Sequence, residues 1–174
     1  MRLAVPTSAT VTRTMRRFVI VSCAAGILAG CAPKGPKPDY SVQLAQYKRL
    51  AIVCAPGAEA DPVYASSIMQ EVEKMAPSRL DFLERVDVLA NVAVDTATSP
   101  PSVKLTNVDS YDGIVALVYS YPAAVVLDMY MIDARNGQQV WHYQLSTQDK
   151  DVPARLTRHG YWTPTTIKNQ FYGK

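Results

Sequence analysis

The spacing of apolar positions changes character several times along this chain, and each change marks an element. Residues 18–28 form an uninterrupted stretch without a charged side chain. Residues 32–39 read Ala-Pro-Lys-Gly-Pro-Lys-Pro-Asp and show no apolar period. Residues 49–55 are again apolar after Arg49, as in a strand covered on both faces. Asp61-Pro62 then supplies a helix cap and a favoured first helical residue. Tyr64, Ile68, Val72 and Met75 recur at helical spacing, which predicts a helix to about Ala76, ended by Pro77 and Ser78.

The pattern downstream is mostly that of strands. Residues 80–88 alternate, with Phe82, Glu84 and Val86 on one face and Leu83, Arg85 and Asp87 on the other. Residues 88–94 and 105–110 read as short helices, and 96–102 as a surface loop. Residues 114–121 and 124–133 are strands parted by Pro122, and Asn136-Gly137 is a hairpin signal leading into a returning strand at 139–146. Trp141, Tyr143 and Leu145 face one way on that strand, and Val140, His142 and Gln144 the other. Beyond Asp149 the pattern weakens. A short helix at 152–158 and a loosely docked tail at 160–174, polar with the aromatics Tyr161, Trp162, Phe171 and Tyr172, are expected.

Taken together, residues 47–148 predict an α/β (α+β) two-layer domain. Its mixed sheet has about four to five strands, an antiparallel C-terminal meander and helices packed on it. No internal repeat is evident.

The N-terminal part has a different logic. Arg16-Arg17, the apolar residues 18–28 and then Leu28-Ala29-Gly30-Cys31 resemble the lipobox of an exported bacterial lipoprotein. The apolar stretch is about half of the roughly 20 residues that a spanning helix needs. Residues 1–14 fit no part of a signal, which places the start at Met15. Thr14, Met15 and Phe18 match a twin-arginine signal poorly, so general secretory export is expected. The competing reading of Cys31 is an ordinary cysteine in a buried helix. The resemblance implies removal of residues 1–30 and acylation of Cys31, with residues 31–46 as a Pro-rich tether. Lipidation contributes about 0.8 kcal/mol per buried methylene. Ala32, where an aspartate would imply inner-membrane retention, implies the periplasmic face of the outer membrane.

Charge changes the picture once this leader is set aside. Four of the 18 basic residues (Arg2, Arg13, Arg16, Arg17) precede Cys31 and none of the 15 acidic residues does. What remains is near neutral, and the apparent basicity is no evidence for nucleic-acid binding. Cys54 is then the one thiol left beside the lipidated Cys31, without a partner for a disulfide, and reads as a small buried hydrophobe.

Candidate chemistry is sparse. No phosphate loop or nucleophile elbow occurs, and His142 and His159 have no histidine or cysteine at metal-ligand spacing, so no cofactor or metal is expected. Asp109, Asp112 and Asp133 sit where short acids turn or cap the chain. Asp128 lies inside an apolar strand with Val126, Tyr130 and Ile132, and it reads either as a structural pair or as a binding or acid–base residue. Ten tyrosines stand against three phenylalanines. Tyr119, Tyr121, Tyr130 and Tyr143 cluster on the meander and, with Asp128, form the candidate interaction surface; packing within the sheet is the plainer alternative.

The domain also resembles the small α/β unit of periplasmic proteins such as the TolB N-terminal domain, the curli secretion lipoprotein and the lipoprotein activator of penicillin-binding proteins. The resemblance rests on Lys48 to Val53, Phe82-Leu83-Glu84-Arg85, Tyr111 to Val115 and Ile132 to Trp141. It implies a non-enzymatic component of the cell envelope that binds a protein partner. A ring-forming secretion subunit is the alternative, although the chain is too short for the membrane-spanning hairpins of a curli-type channel. A glycan binder or a small aspartate-using hydrolase is a further one, and it requires Asp109, Asp112 and Asp128 to meet.

Overall fold

The computed structural model describes residues 41–121, 124–148 and 151–173. The expected signal, lipidation site and tether up to residue 40 lie outside the described residues. The elements run α1 (Ser41–Leu44), β1 (Arg49–Pro56), α2 (Tyr64–Arg79), β2 (Arg85–Val88), β3 (Ala93–Asp95), β4 (Ser102–Lys104), a 3-10 turn (Val108–Ser110), β5 (Gly113–Ser120), β6 (Val125–Asp133), β7 (Gln139–Thr147) and α3 (Val152–Phe171).

A mixed five-stranded sheet in the order β2-β1-β5-β6-β7 carries the domain, and β3 and β4 pair separately. β1 is parallel to β2 and to β5, and β5, β6 and β7 form the expected antiparallel meander. Helices α2 and α3 pack on one face. That face and the helices share a core of Leu50, Ile52, Leu117, Leu127, Met129 and Trp141, joined by Ile68, Val72, Leu156 and Ile167. A second cluster lies on the opposite face, where Ala51, Val53, Ile114, Ala116 and Ile132 are covered by Val92, Val94, Val103 and Leu105 of the β3–β4 region.

The structure departs from the sequence pattern in several places; α2 begins at Tyr64 with Val63 at its cap, not at Pro62 with Asp61. Pro77 does not end α2, which runs on to Arg79. Near the C-terminal end a proline forfeits a single ladder bond, and the Leu80 N–H still reaches the Ala76 carbonyl at 2.8 Å. The strand expected at 80–88 is only its last four residues. Leu83 closes a turn on Leu80 (3.0 Å), and ladder pairing starts where β1 supplies a partner, at Arg49 opposite Arg85. Residues 88–94 are not helical. The Leu89 N–H extends the sheet to the Ile52 carbonyl (2.9 Å), Asn91 takes a left-handed φ of 60°, and the chain then enters β3. The short helix expected at 105–110 shrinks to the 3-10 turn.

The largest correction is at the C-terminus. Residues 160–171 of the expected tail belong to a single 20-residue helix, Val152–Phe171. Its buried side is Leu156, His159, Gly160, Thr163, Pro164, Ile167 and Phe171, a helical stripe in which only Leu156 and Ile167 are aliphatic. Gly160 lies against α2 so closely that a Cβ there would stand 2.6 Å from the Ile68 carbonyl oxygen. The residue that reads as a breaker is what lets the two helices meet. Pro164 removes the N–H that would bond the Gly160 carbonyl, and the Thr163 hydroxyl donates to the His159 carbonyl at 2.9 Å.

Candidate functional site

Strand alternation decides what β6 and β7 present. Val125, Leu127, Met129 and Met131 point into the helix-covered core, so Val126, Asp128 and Tyr130 point to the other face. The β3–β4 cover reaches along that face as far as Tyr130, and Asp128 lies beyond it. Register places Asp128 opposite Gln144 and Tyr130 opposite His142.

These four side chains form one network. The Asp128 carboxylate accepts from the Gln144 amide at 2.9 Å and contacts His142 Nε2 at 2.7 Å. The imidazole stacks on the Tyr130 ring, with centroids 4.4 Å apart and planes 17° from parallel. Asp128 keeps 19% of its side-chain exposure and His142 37%. The carboxylate is therefore a partly shielded, paired group, and the desolvation problem of an isolated buried charge does not arise. Burial raises the Tyr130 phenol pKa, the Asp128 carboxylate adds to this, and a hydrogen bond with Ser99 opposes it. The arrangement offers fixed acceptors and donors beside an aromatic ring.

The other candidates lie elsewhere. Tyr119 is fully buried on the helix side, donates to the Asp61 carbonyl at 2.7 Å and is pushed up to about 12, mainly by burial. The Tyr121 hydroxyl accepts from the Asp61 N–H, and its ring meets Tyr64 edge-on. Tyr143 is half-buried against the helix-side core. Of the four tyrosines, only Tyr130 shares a face with Asp128, because the others fall on alternate strand positions or at the strand end.

Nor are the aspartates gathered. Asp109 is exposed in the 3-10 turn. Asp112 ties the starts of β1 and β5 together: it accepts from the Lys48 and Arg49 N–H groups (3.1 and 3.0 Å) and from the Arg49 guanidinium (2.8 Å). That guanidinium is the main reason its carboxyl is lowered to about 2. Asp133 accepts from the buried Tyr47 hydroxyl at 2.9 Å. Asp133 pairs with Gly113 on β5 and Asp128 with Val118, so the Asp112 end and Asp128 are about 17 Å apart along the strand. The constellation that a hydrolase reading required is not assembled among the described residues.

Cys54 borders a groove of about 220 Å³ beneath α2, and burial pushes its thiol up to about 12, far from a reactive thiolate at neutral pH. Among the described residues no group of three or more His, Cys, Asp or Glu is placed to hold a metal ion. Sequence reasoning missed two features. Asp87 accepts from Arg85 and from the Tyr111 hydroxyl, each at 2.6 Å, which alternation on a short strand alone does not reveal. Tyr161 and Trp162 are exposed on α3, and their helical spacing was hidden by the breakers around them.

No protein-family model matches the chain, and no curated protein matches it. Among solved structures it is similar to the PelC dodecamer from Paraburkholderia phytofirmans in two crystal forms, one of them a single-residue variant. These share 15% and 14% identity, each with a TM-score of 0.41 over 67% of this chain and 86% of that one. It is also similar to a neuraminyllactose-binding hemagglutinin homolog from Helicobacter pylori, at 10% identity and a TM-score of 0.39, over 78% of this chain and 85% of that one.

Proposed function

We propose that this chain is a lipid-anchored envelope protein whose α/β domain binds a protein partner and does not itself catalyse a reaction. Cys31 carries the anchor and residues 32–40 the tether, at the periplasmic face of the outer membrane; the expected tether to residue 46 is shortened because Leu44 of α1 is buried in the domain core. The sequence Leu28-Ala29-Gly30-Cys31 behind a short apolar stretch supports the anchor. One observation carries the binding reading. The face opposite the helices is covered over β1 and β5, and beyond that cover it presents the linked Asp128, His142 and Gln144 beside the Tyr130 ring. Side chains already held by one another lose little freedom on binding, which favours a specific contact.

The test is a photocrosslinking residue placed at Gln144 or Ser146 in the intact envelope. A discrete adduct is expected there and none from Asn136 at the hairpin tip, and Asp128→Ala should remove it. Absence of any adduct along β6 and β7 overturns the binding reading. Mass spectrometry of the mature N-terminus tests the anchor separately, with an acylated Cys31 as the expected first residue.

A further inference from the structure

Helix α3 has a second side that the fold does not use. Arg158, Tyr161, Trp162 and Thr165 lie one, three, four or seven positions apart on α3 and so share one outward face. Tyr161 is 37% exposed and Trp162 49%, two of the four large exposed hydrophobic residues among those described; Tyr172, past the helix end, sets its ring against Phe82 instead. Tyr161 and Trp162 brace each other edge-on at 5.6 Å, and with Arg158 they border an open groove of about 460 Å³ against Glu71 of α2. The core does not require these aromatic residues.

We propose that this face of α3 docks on an anionic phospholipid surface, in the headgroup layer of the membrane that holds the chain's own anchor. The inference rests on the lipid-anchor reading. Three observations favour this occupant. Trp and Tyr place an apolar ring and a polar tip at the level of lipid headgroups, and arginine pairs with phosphate. α3 contains no aspartate or glutamate, and of its cations Lys168 is paired with Asp81, so Arg158 beside the two rings is the charge that faces a negative surface. The chain joins the domain beside this helix: α1 packs on α3, and only nine residues lie between Cys31 and Ser41, a reach of at most about 35 Å. That is close to the length of α3 itself, about 30 Å. A protein partner also takes Trp, Tyr and Arg; the position of the tether and the charge of the helix select lipid.

Trp162 is its own reporter, because the chain's other tryptophan, Trp141, is 1% exposed in the core. The acylated protein is reconstituted into phosphatidylcholine–phosphatidylglycerol vesicles, some made with brominated phosphatidylcholine. Bromine should quench part of the emission. Trp162→Phe, at an exposed position, should abolish that part while the circular dichroism is unchanged. Arg158→Gln should weaken docking about fivefold, the effect of one surface charge. Raising salt from about 0.1 M to about 1 M should weaken it as well. If the protein floats with the vesicles and bromine quenches nothing, the docking inference is overturned and the anchor stands. If it fails to float and Cys31→Ser changes nothing, the anchor fails and the docking with it. If emission shifts to the blue with protein density and without bromine quenching, a second copy covers α3 and the inference is again overturned.

Discussion

Leu127 and Asp128 are neighbours on one strand, yet they belong to different regimes. Leu127 points into the helix-covered core and is fully buried, packed with Leu117, Met129 and Trp141. Asp128 points the other way, past the end of the β3–β4 cover, and is held by His142 and Gln144. One face of the sheet is closed by two helices and carries the stability. The other is closed over β1 and β5 and left polar at β6 and β7. A sheet face that is finished over half its area and furnished with a hydrogen-bonded polar group over the rest is where binding can be placed without loss of fold.

That contrast can be broken or sharpened in graded ways. The largest effect is expected from Leu127→Ala, about 2–5 kcal/mol of lost stability in urea unfolding, because truncating a fully buried side chain leaves a cavity in the core. A loss near that measured for surface variants would mean that the helix-covered face is not the load-carrying one. Gly160→Ala should cost about 1–3 kcal/mol, since its Cβ meets the Ile68 backbone and two helices must part. An unchanged midpoint would contradict the close approach of α2 and α3.

Acid unfolding separates two smaller contributions. Burial, with Arg155 nearby, lowers the His159 pKa below its ordinary 6.5, and its Nδ1 is buried without a hydrogen-bond partner among the described residues. The unfolded chain therefore takes up that proton first as pH falls, so stability is full above about 6.5 and declines below it. His159→Leu should flatten the decline in that range. Asp112 behaves alike in a lower window: its carboxyl is held at about 2 against 3.8, so the Arg49 brace is complete above about 3.8 and fades as pH falls towards 2. Asp112→Asn should remove that second step only, and a single unaltered acid transition in both variants would count against both assignments. The smallest effect belongs to Asp128→Asn, less than about 1 kcal/mol at neutral pH, because the pair is solvent-accessible. A larger loss would show that the open face also carries the fold, and the comparison would lose its edge.

Much of this site was legible in advance, and the illegible part has a definite cause. Alternation along residues 124–133 and 139–146 correctly places Asp128 with Tyr130 on one face of β6, and His142 with Gln144 on one face of β7. Alternation within one strand does not say which faces of neighbouring strands coincide, so Tyr119, Tyr121 and Tyr143 read as one cluster with Tyr130 although the register parts them. The contact of His142 with Asp128 is diagonal between strands and depends on the register of the hairpin, with a bulge between Met131 and Ile132.

By itself the sequence determined β1, the body of α2, the three-stranded meander and the turn at Asn136-Gly137, where Gly137 takes a φ of +72°. All of these follow from periods and turn preferences that act within a few residues. Only the tertiary structure decided that residues 152–171 form one helix, that β2 is four residues long and that 93–95 pairs with 102–104. Those outcomes depend on partners distant in the chain. A glycine in helix α3 is unfavourable until Ile68 lies against it, and a strand extends only as far as a neighbour offers hydrogen bonds.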